Sequence, residues 1–334
     1  MTIRAFAAKG PREKLVPYEY NARPVGPYDV AIAINYCGIC HSDLHLLNNE
    51  WGITQYPLVP GHEIVGTVAE AGANVRGMTT GSRVGVGWQC GACLECEWCA
   101  SGNDHICPDS RATCAGNYGG FANSIVVDSR YAFVIPEGMS SENAAPLMCG
   151  GVTVYSPLRR YDVRPHMKVG VVGIGGLGHL ALQFAHAFGC EVTAFSSSSD
   201  KESDALAFGA DNFVDSSNPD QLAALARSQD IIIVAANADL DWQAYINILR
   251  PLGNLCFVGA VPNPIEVHAM SLIFGSKSVS GSPIGSRQMI REMLDFAARH
   301  EIEARTEVMP MNRVNEAMSR LSANQARFRI VLKN

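Results

Sequence analysis

Up to about Ala145 the chain alternates short apolar runs with breaks rich in Gly and Pro; the runs cover residues 30–36, 64–70, 83–88, 125–127 and 132–135. Runs this short, bounded by turn residues, predict many short strands and few helices, hence an irregular, mostly β domain. Near Pro136 the texture changes. A helix-like segment at 141–148 leads into a regular alternation: strand 168–173, helix 176–188, strand 191–196, helix 201–208, strand 213–215, helix 219–227, strand 230–236, helix 241–249 and strand 255–259. Such alternation predicts parallel strands joined by right-handed helical crossovers, a doubly wound α/β sheet. Beyond it, residues 287–299 place Met289, Ile290, Met293, Leu294, Phe296 and Ala297 on one helical face. A terminal strand at 328–332 closes the chain and is free to return to the first domain.

Length and composition narrow the classes. With 334 residues, 47% hydrophobic and 17% charged, two compact domains are expected. A net charge of −6 without any basic run argues against nucleic acid as a partner. The longest apolar run, 169–188, is broken by five glycines and carries His179, Gln183 and His186, so it does not read as a membrane span. Residues 1–10 lack the apolar core of a signal peptide, which makes the cytoplasm the expected compartment. Eleven cysteines in that context point to reduced thiols and metal rather than disulfides.

Candidate chemistry centres first on residues 36–66, with Cys40, His41, Ser42 and His45 followed by Gly61-His62-Glu63. A thiolate and an imidazole are what zinc binds, and a catalytic zinc needs about three protein ligands. Here a third would have to come from elsewhere, and a buried thiol with a hydrogen-bonded His is the plain alternative. A second cluster is Cys93-x-x-Cys96-x-x-Cys99 with Cys107 after seven residues. Four thiolates at this spacing can close around a tetrahedral ion, a structural site, although Cys90 could compete as ligand and an iron–sulfur centre would accept the same set. Third, Gly173-Ile174-Gly175-Gly176-Leu177-Gly178 follows a predicted strand and opens a predicted helix, the context that makes the glycines a dinucleotide-binding turn. At the end of the next strand, where a carboxylate would hold the ribose of NAD, stand Ser196, Ser197, Ser198 and Ser199, then Asp200 and Lys201. Hydroxyls and a lysine suit a 2′-phosphate and predict NADP(H). Asp200 weighs against this, and the serines also suit capping of the next helix.

These pieces together resemble a family. Gly61-His62-Glu63-x-x-Gly66-x5-Gly72-x-x-Val75, the cysteine lobe and the glycine loop are similar, in order and spacing, to zinc-containing medium-chain alcohol dehydrogenases. The closer match is the cinnamyl alcohol dehydrogenase branch with its bacterial broad-specificity aldehyde reductases. It is carried by Tyr36-Cys-Gly-Ile-Cys-His-Ser-Asp-Leu-His45, Tyr56-Pro-Leu-Val-Pro-Gly-His-Glu63, Leu147-Met-Cys-Gly-Gly-Val-Thr-Val-Tyr-Ser156 and Ser280-Gly-Ser-Pro-Ile-Gly-Ser286. The resemblance implies a GroES-like, mostly β catalytic domain, a Rossmann domain and two zinc ions per chain. It supplies Cys149 as third ligand of a catalytic zinc with Cys40 and His62, Glu63 as an occasional ligand, and Cys93, Cys96, Cys99 and Cys107 as the structural set. By the same resemblance Ser42 hydrogen-bonds the substrate oxygen, and His45 and Glu50 pass its proton to solvent. His41 lies near the cofactor pyrophosphate and Thr153 beside the nicotinamide, whose carboxamide meets Val258, Ala260 and Ser282.

The expected arrangement is thus a catalytic domain of residues 1–147 and 286–334, a dinucleotide-binding domain of 148–285, and a zinc- and NADP(H)-dependent enzyme interconverting aldehydes and primary alcohols. Trp51 and Trp88 either line a pocket for apolar or aromatic aldehydes or are plain core. The family pairs subunits at the sheet edge near 278–286, so a homodimer is expected. Two other readings stand beside this one. A polyol or secondary-alcohol dehydrogenase would use the same parts, and the cysteine lobe could belong to a zinc-finger-like binding or redox-sensing protein.

Overall fold

The computed structural model describes all residues, 1–334, and the chain divides into two compact units, Met1–Val152 with Gly285–Asn334, and Thr153–Ile284. The first unit runs past the expected 147 to Val152, and so includes Cys149.

In the first unit a seven-stranded sheet has Asp29–Gly38 at its centre. Glu63–Ala71 and Ser124–Asp128 pair antiparallel with it, and Arg83–Val86 and Ala132–Val134 extend the sheet. Val30, Ile32, Ile34, Val68, Val84 and Val86 are buried together in its core, where β-branched side chains fit the pleat. The C-terminal strand Arg329–Lys333 returns to this sheet, antiparallel to residues 36–38, and Thr306–Pro310 adds parallel to it. Thr306–Pro310, the helix Val314–Ser322 and the paired strands Thr2–Ala7 and Val16–Asn21 have no counterpart in the sequence reading. Val16–Asn21 leaves no residue fully buried, so its apolar alternation is faint.

The segment after Cys40, to which the sequence pattern assigns no element, is a helix, His41–Asn48. Only Asp43 and Leu46 are buried on it, so its face is too narrow to show as a periodic pattern. The helix Ser141–Pro146 continues into a π turn, Leu147–Gly151, which carries Cys149. Such π turns often mark functional positions within helices.

The second unit is a six-stranded, all-parallel sheet in the order 212–215, 191–196, 168–172, 229–234, 249–257, 278–281. Strands Lys168–Val172, Glu191–Ser196 and Gln229–Val234 bury nearly every side chain, as a sheet covered on both faces requires. The order places the strand-order reversal between Lys168–Val172 and Gln229–Val234, where doubly wound folds bind nucleotides at the carboxyl ends. No helix of the chain is long and apolar enough to cross a membrane.

Candidate metal centre and active site

Three elements of the first unit bring Cys40, His62, Glu63 and Cys149 together, with one ligand atom from each lying within 4.8 Å of the others. Cys40 stands at the N-terminus of His41–Asn48, His62 and Glu63 where Glu63–Ala71 begins, and Cys149 within the π turn. Gly61, at φ +99°, makes the sharp approach to His62; a Cβ there would meet Phe121 and Cys37 within 3 Å. His62, Glu63 and Cys149 are buried.

Asp43, which the sequence reading passed over, organises the cluster. Fully buried, it accepts from the backbone N–H of Cys40 (3.0 Å) and of Gly61 (2.9 Å), and lies 3.2 Å from Nδ1 of His62. It thereby fixes both ligand-bearing backbones and turns His62 so that Nε2 faces the thiols. That Nε2 is buried without a partner. An orphaned imidazole nitrogen beside two thiols, its other nitrogen held by a carboxylate, is the donor arrangement of a metal-binding histidine, and zinc fits it. Burial opposes a charge on His62, but Asp43 and Cys149 hold its pKa well above the usual range. Hydrogen bonding to Cys149 draws the Cys40 thiol well down, and the same contact, with burial, pushes Cys149 up. Cys114 lies 3.8 Å from Nδ1 of His62, forming a further trio with Asp43. Since Asp43 already holds that nitrogen, the trio supports His62 instead of forming a separate site.

Glu63 is bound through both oxygens by Nη2 of Arg329, another residue the sequence did not suggest, which also donates to the Ile39 carbonyl at 3.0 Å. Burial pushes the Glu63 carboxyl up to about 7, against the pull of Arg329. Gly38, opposite Glu63 in the sheet register, leaves room for it; a Cβ there would sit 2.1 Å from Oε2. The Cys40-x-x-Asp43 spacing resembles a capping box and could have flagged Asp43. Arg329 carries no such signal.

Ser42 and His45 share a face of the helix His41–Asn48, three residues apart. Ser42 Oγ lies 3.7 Å from the Cys40 sulfur, and His45 Nδ1 contacts Glu50 in a short hydrogen bond. Hydrogen bonding to His45 lowers the Glu50 pKa. A file of rings joins these groups: Trp88 meets His62 edge-on (centroids 5.0 Å apart), Trp51 meets Trp88 (5.9 Å), and Trp51 stacks on His45 (5.0 Å). His41 at the helix start is exposed.

Cys93, Cys96, Cys99 and Cys107 form the second cluster. Their sulfurs lie 3.5–3.9 Å apart in three pairs, matching the edge of about 3.8 Å that a tetrahedron with Zn–S bonds of about 2.3 Å requires. Backbone N–H groups of Glu95 and Cys96 point at the Cys93 sulfur and bring its pKa down to about 7. Cys90 stays outside: its thiol donates to the Ala112 carbonyl, and burial pushes it up to about 11.

In the second unit the glycine loop joins strand Lys168–Val172 to helix Gly178–Ala187. Gly173 has φ +87°, and a Cβ there would run into the Ala236 backbone; one at Gly178 would lie 2.0 Å from the Gly173 carbonyl; one at Gly175 would meet nothing within 4 Å. The first and third glycines are thus needed for the turn and its packing, while the second opens to the side where a pyrophosphate would approach. Gly176 and Leu177 complete the loop before the helix. Ser196 ends its strand and hydrogen-bonds Ser198, with exposed Ser197 between them and half-buried Lys201 beyond. Thr153 and Ser282 are buried, with Ser282 Oγ 3.4 Å from Ser156 Oγ; Val258 bonds its N–H to Val234, and Ala260 is exposed.

Residues 26–137 match the alcohol dehydrogenase GroES-like domain and residues 176–299 the zinc-binding dehydrogenase domain. The chain is 45% identical over 332 residues to the aldehyde reductase AdhA of Synechocystis, covering 99% of both. Among solved structures, a cinnamyl alcohol dehydrogenase of Sorghum bicolor superposes with a TM-score of 0.96 at 41% identity, covering 100% of this chain and 98% of that one. The cinnamyl alcohol dehydrogenase of Helicobacter pylori, complexed with NADP(H), gives 0.92 at 34% identity with the same coverage. With the two metal-type clusters and the glycine loop in place, the chain belongs to the zinc-dependent medium-chain alcohol dehydrogenases, oxidoreductases of alcohols and aldehydes, in their cinnamyl alcohol dehydrogenase branch.

Proposed function

We propose that this protein is an NADP(H)-dependent aldehyde reductase that acts on apolar and aromatic aldehydes. The observation that carries the reading is the buried, partnerless Nε2 of His62 between Cys40 and Cys149, beside a helix that presents Ser42 and His45. Cys40, His62 and Cys149 would hold the catalytic zinc, with Glu63 as an occasional fourth ligand, and the four thiols of the lobe would hold a structural ion, two zinc ions per chain. When bound, the catalytic zinc supplies Lewis acidity toward the substrate oxygen and the reduced dinucleotide supplies the hydride.

Ser42 binds the aldehyde oxygen and gives it a proton as the carbon accepts hydride, so that one hydride and one proton yield the primary alcohol. His45 returns a proton to that hydroxyl and is itself resupplied from solvent past Glu50, since imidazole exchanges protons readily near neutral pH. Trp88 and Trp51 offer flat apolar surface next to His62, which suits a planar aldehyde better than a polyol. Gly173, Gly175, Gly176, Leu177 and Gly178 would hold the dinucleotide, and Ser196, Ser197, Ser198 and Lys201 would bind its 2′-phosphate. Thr153, Val258, Ala260 and Ser282 of the same unit would complete its site.

Two chains pair at the edge strand Ser278–Gly281. Its outer side is unpaired, and Leu252, Ile273 and Phe274 lie exposed, with the Leu252 N–H bonded to the Gly275 carbonyl. Eleven free thiols suit a reducing, cytoplasmic setting.

The experiment is a turnover panel in which benzaldehyde, a short aliphatic aldehyde, a ketone and a polyol are each assayed with both dinucleotides. Faster use of benzaldehyde with NADPH supports the reading; preference for the polyol or for NADH overturns the corresponding part. Ser196→Asp should cut kcat/KM for NADPH by about tenfold or more, a carboxylate facing a phosphate costing at least ~1.4 kcal/mol.

A further inference from the structure

Asp104 lies in the cysteine lobe, on the short 3-10 turn Asp104–Ile106 that precedes Cys107, and is 2% exposed. Its carboxylate leaves the lobe and meets the start of the helix Arg287–Arg299, far along the chain. Oδ2 is 3.2 Å from Nε of Arg287, and the Arg287 backbone N–H donates to Oδ1 at 3.4 Å. The Arg287 guanidinium lies over the ring of buried Tyr131, 5.3 Å from its centroid. From the lobe side, Gln89 Nε2 donates to the Asp104 carbonyl (3.0 Å), fixing the turn that carries the carboxylate. A carboxylate at the first turn of a helix is favoured by the helix dipole, and the buried Asp104 carboxylate is left a costly orphan when Arg287, itself partly exposed, is lost.

The same helix reaches the mixed cluster. Met293, fully buried, packs on the π turn so closely that a Cβ on Gly151 would sit 3.2 Å from its sulfur. The π turn is also seated by two glycines, because a Cβ on Gly85 would strike the Met148 sulfur and one on Gly87 the Met148 carbonyl. Cys149 falls in the chain between Met148 and Gly151, the two residues so held.

We propose that Asp104 and Arg287 are positioning residues that clamp the cysteine lobe to the helix Arg287–Arg299, so that the folded lobe sets how Met293 seats the turn bearing Cys149. The lobe then contributes to the mixed cluster through one ion pair and one helix, without touching it. The inference rests on the geometry and holds whichever aldehyde the enzyme takes.

Hydrogen exchange on the zinc-loaded protein tests it. In Asp104→Asn, which keeps the shape and removes the charge, exchange should quicken in 287–293 and in 147–151, while strands Lys168–Val172 and Gln229–Val234 keep the wild-type rate. Arg287→Gln should reproduce this pattern, and Arg287→Lys, which keeps a cation over Tyr131, should largely restore it. Acceleration confined to 93–107 and the first helical turn would overturn the proposal, as would uniform acceleration through both units or identical patterns for Arg287→Lys and Arg287→Gln. Turnover enters none of these outcomes, so failure here is distinct from failure of the proposed reaction.

Discussion

The two metal-type clusters of the first unit are built in opposite ways. The lobe takes four thiols from residues 93–107 and orients them with local backbone N–H groups and two single-turn helices. The mixed cluster draws its ligand atoms from a helix start, a strand start and a π turn, and is braced by Asp43 and Arg329, which stand outside that set of four. A closed tetrahedral site is complete when its ligands converge, and a short segment can achieve that. A site with a free position for substrate must hold its ligands from behind, because the metal's own bonds do not finish the shape.

The sharpest test of that contrast is ligand removal. Cys149→Ser or His62→Ala should lower turnover by about three orders of magnitude, the several kcal/mol that Lewis-acid catalysis supplies. Elemental analysis should then show the loss of one zinc per chain with the lobe still loaded; loss of both would mean that the clusters are not independent in metal binding. Next in size is the brace. Arg329→Met should cost about 3–5 kcal/mol of stability in urea unfolding, since it leaves the Glu63 carboxylate buried without its partner. Adding Glu63→Leu should recover most of this, and a double mutant as unstable as the single one would show that Arg329 acts through packing alone. The smallest effect is expected from Asp43→Asn, which should weaken zinc at the mixed cluster by about 10–100-fold in chelator competition and leave the lobe unchanged. Equal weakening at both clusters would erase the distinction drawn between them.

The lobe and the glycine loop were legible in the chain because their chemistry is local. Three-residue spacing already implies that Cys93, Cys96 and Cys99 can face one ion, and Gly173, Gly175 and Gly178 divide three steric tasks within one turn. The helix His41–Asn48 was not legible. It starts at a cysteine, outside the usual N-cap residues, and buries only two residues, so periodicity does not mark it and the Cys40-x-x-Asp43 spacing is its one local hint. Arg329 was silent for another reason. It lies in the terminal strand, where no local pattern sets it apart, and its partner Glu63 is 266 positions away.

By itself, then, the sequence determined the doubly wound unit, the mostly β character of the remainder and the convergence of four thiols, because periodicity and short spacings act over a few residues. Only the tertiary structure decided which way His62 faces, what neutralises Glu63, and that the Cys149 turn is gripped between Gly85, Gly87 and Met293. Those are contacts between distant segments. Their geometry is fixed by sheet register and close packing, and no local pattern encodes it.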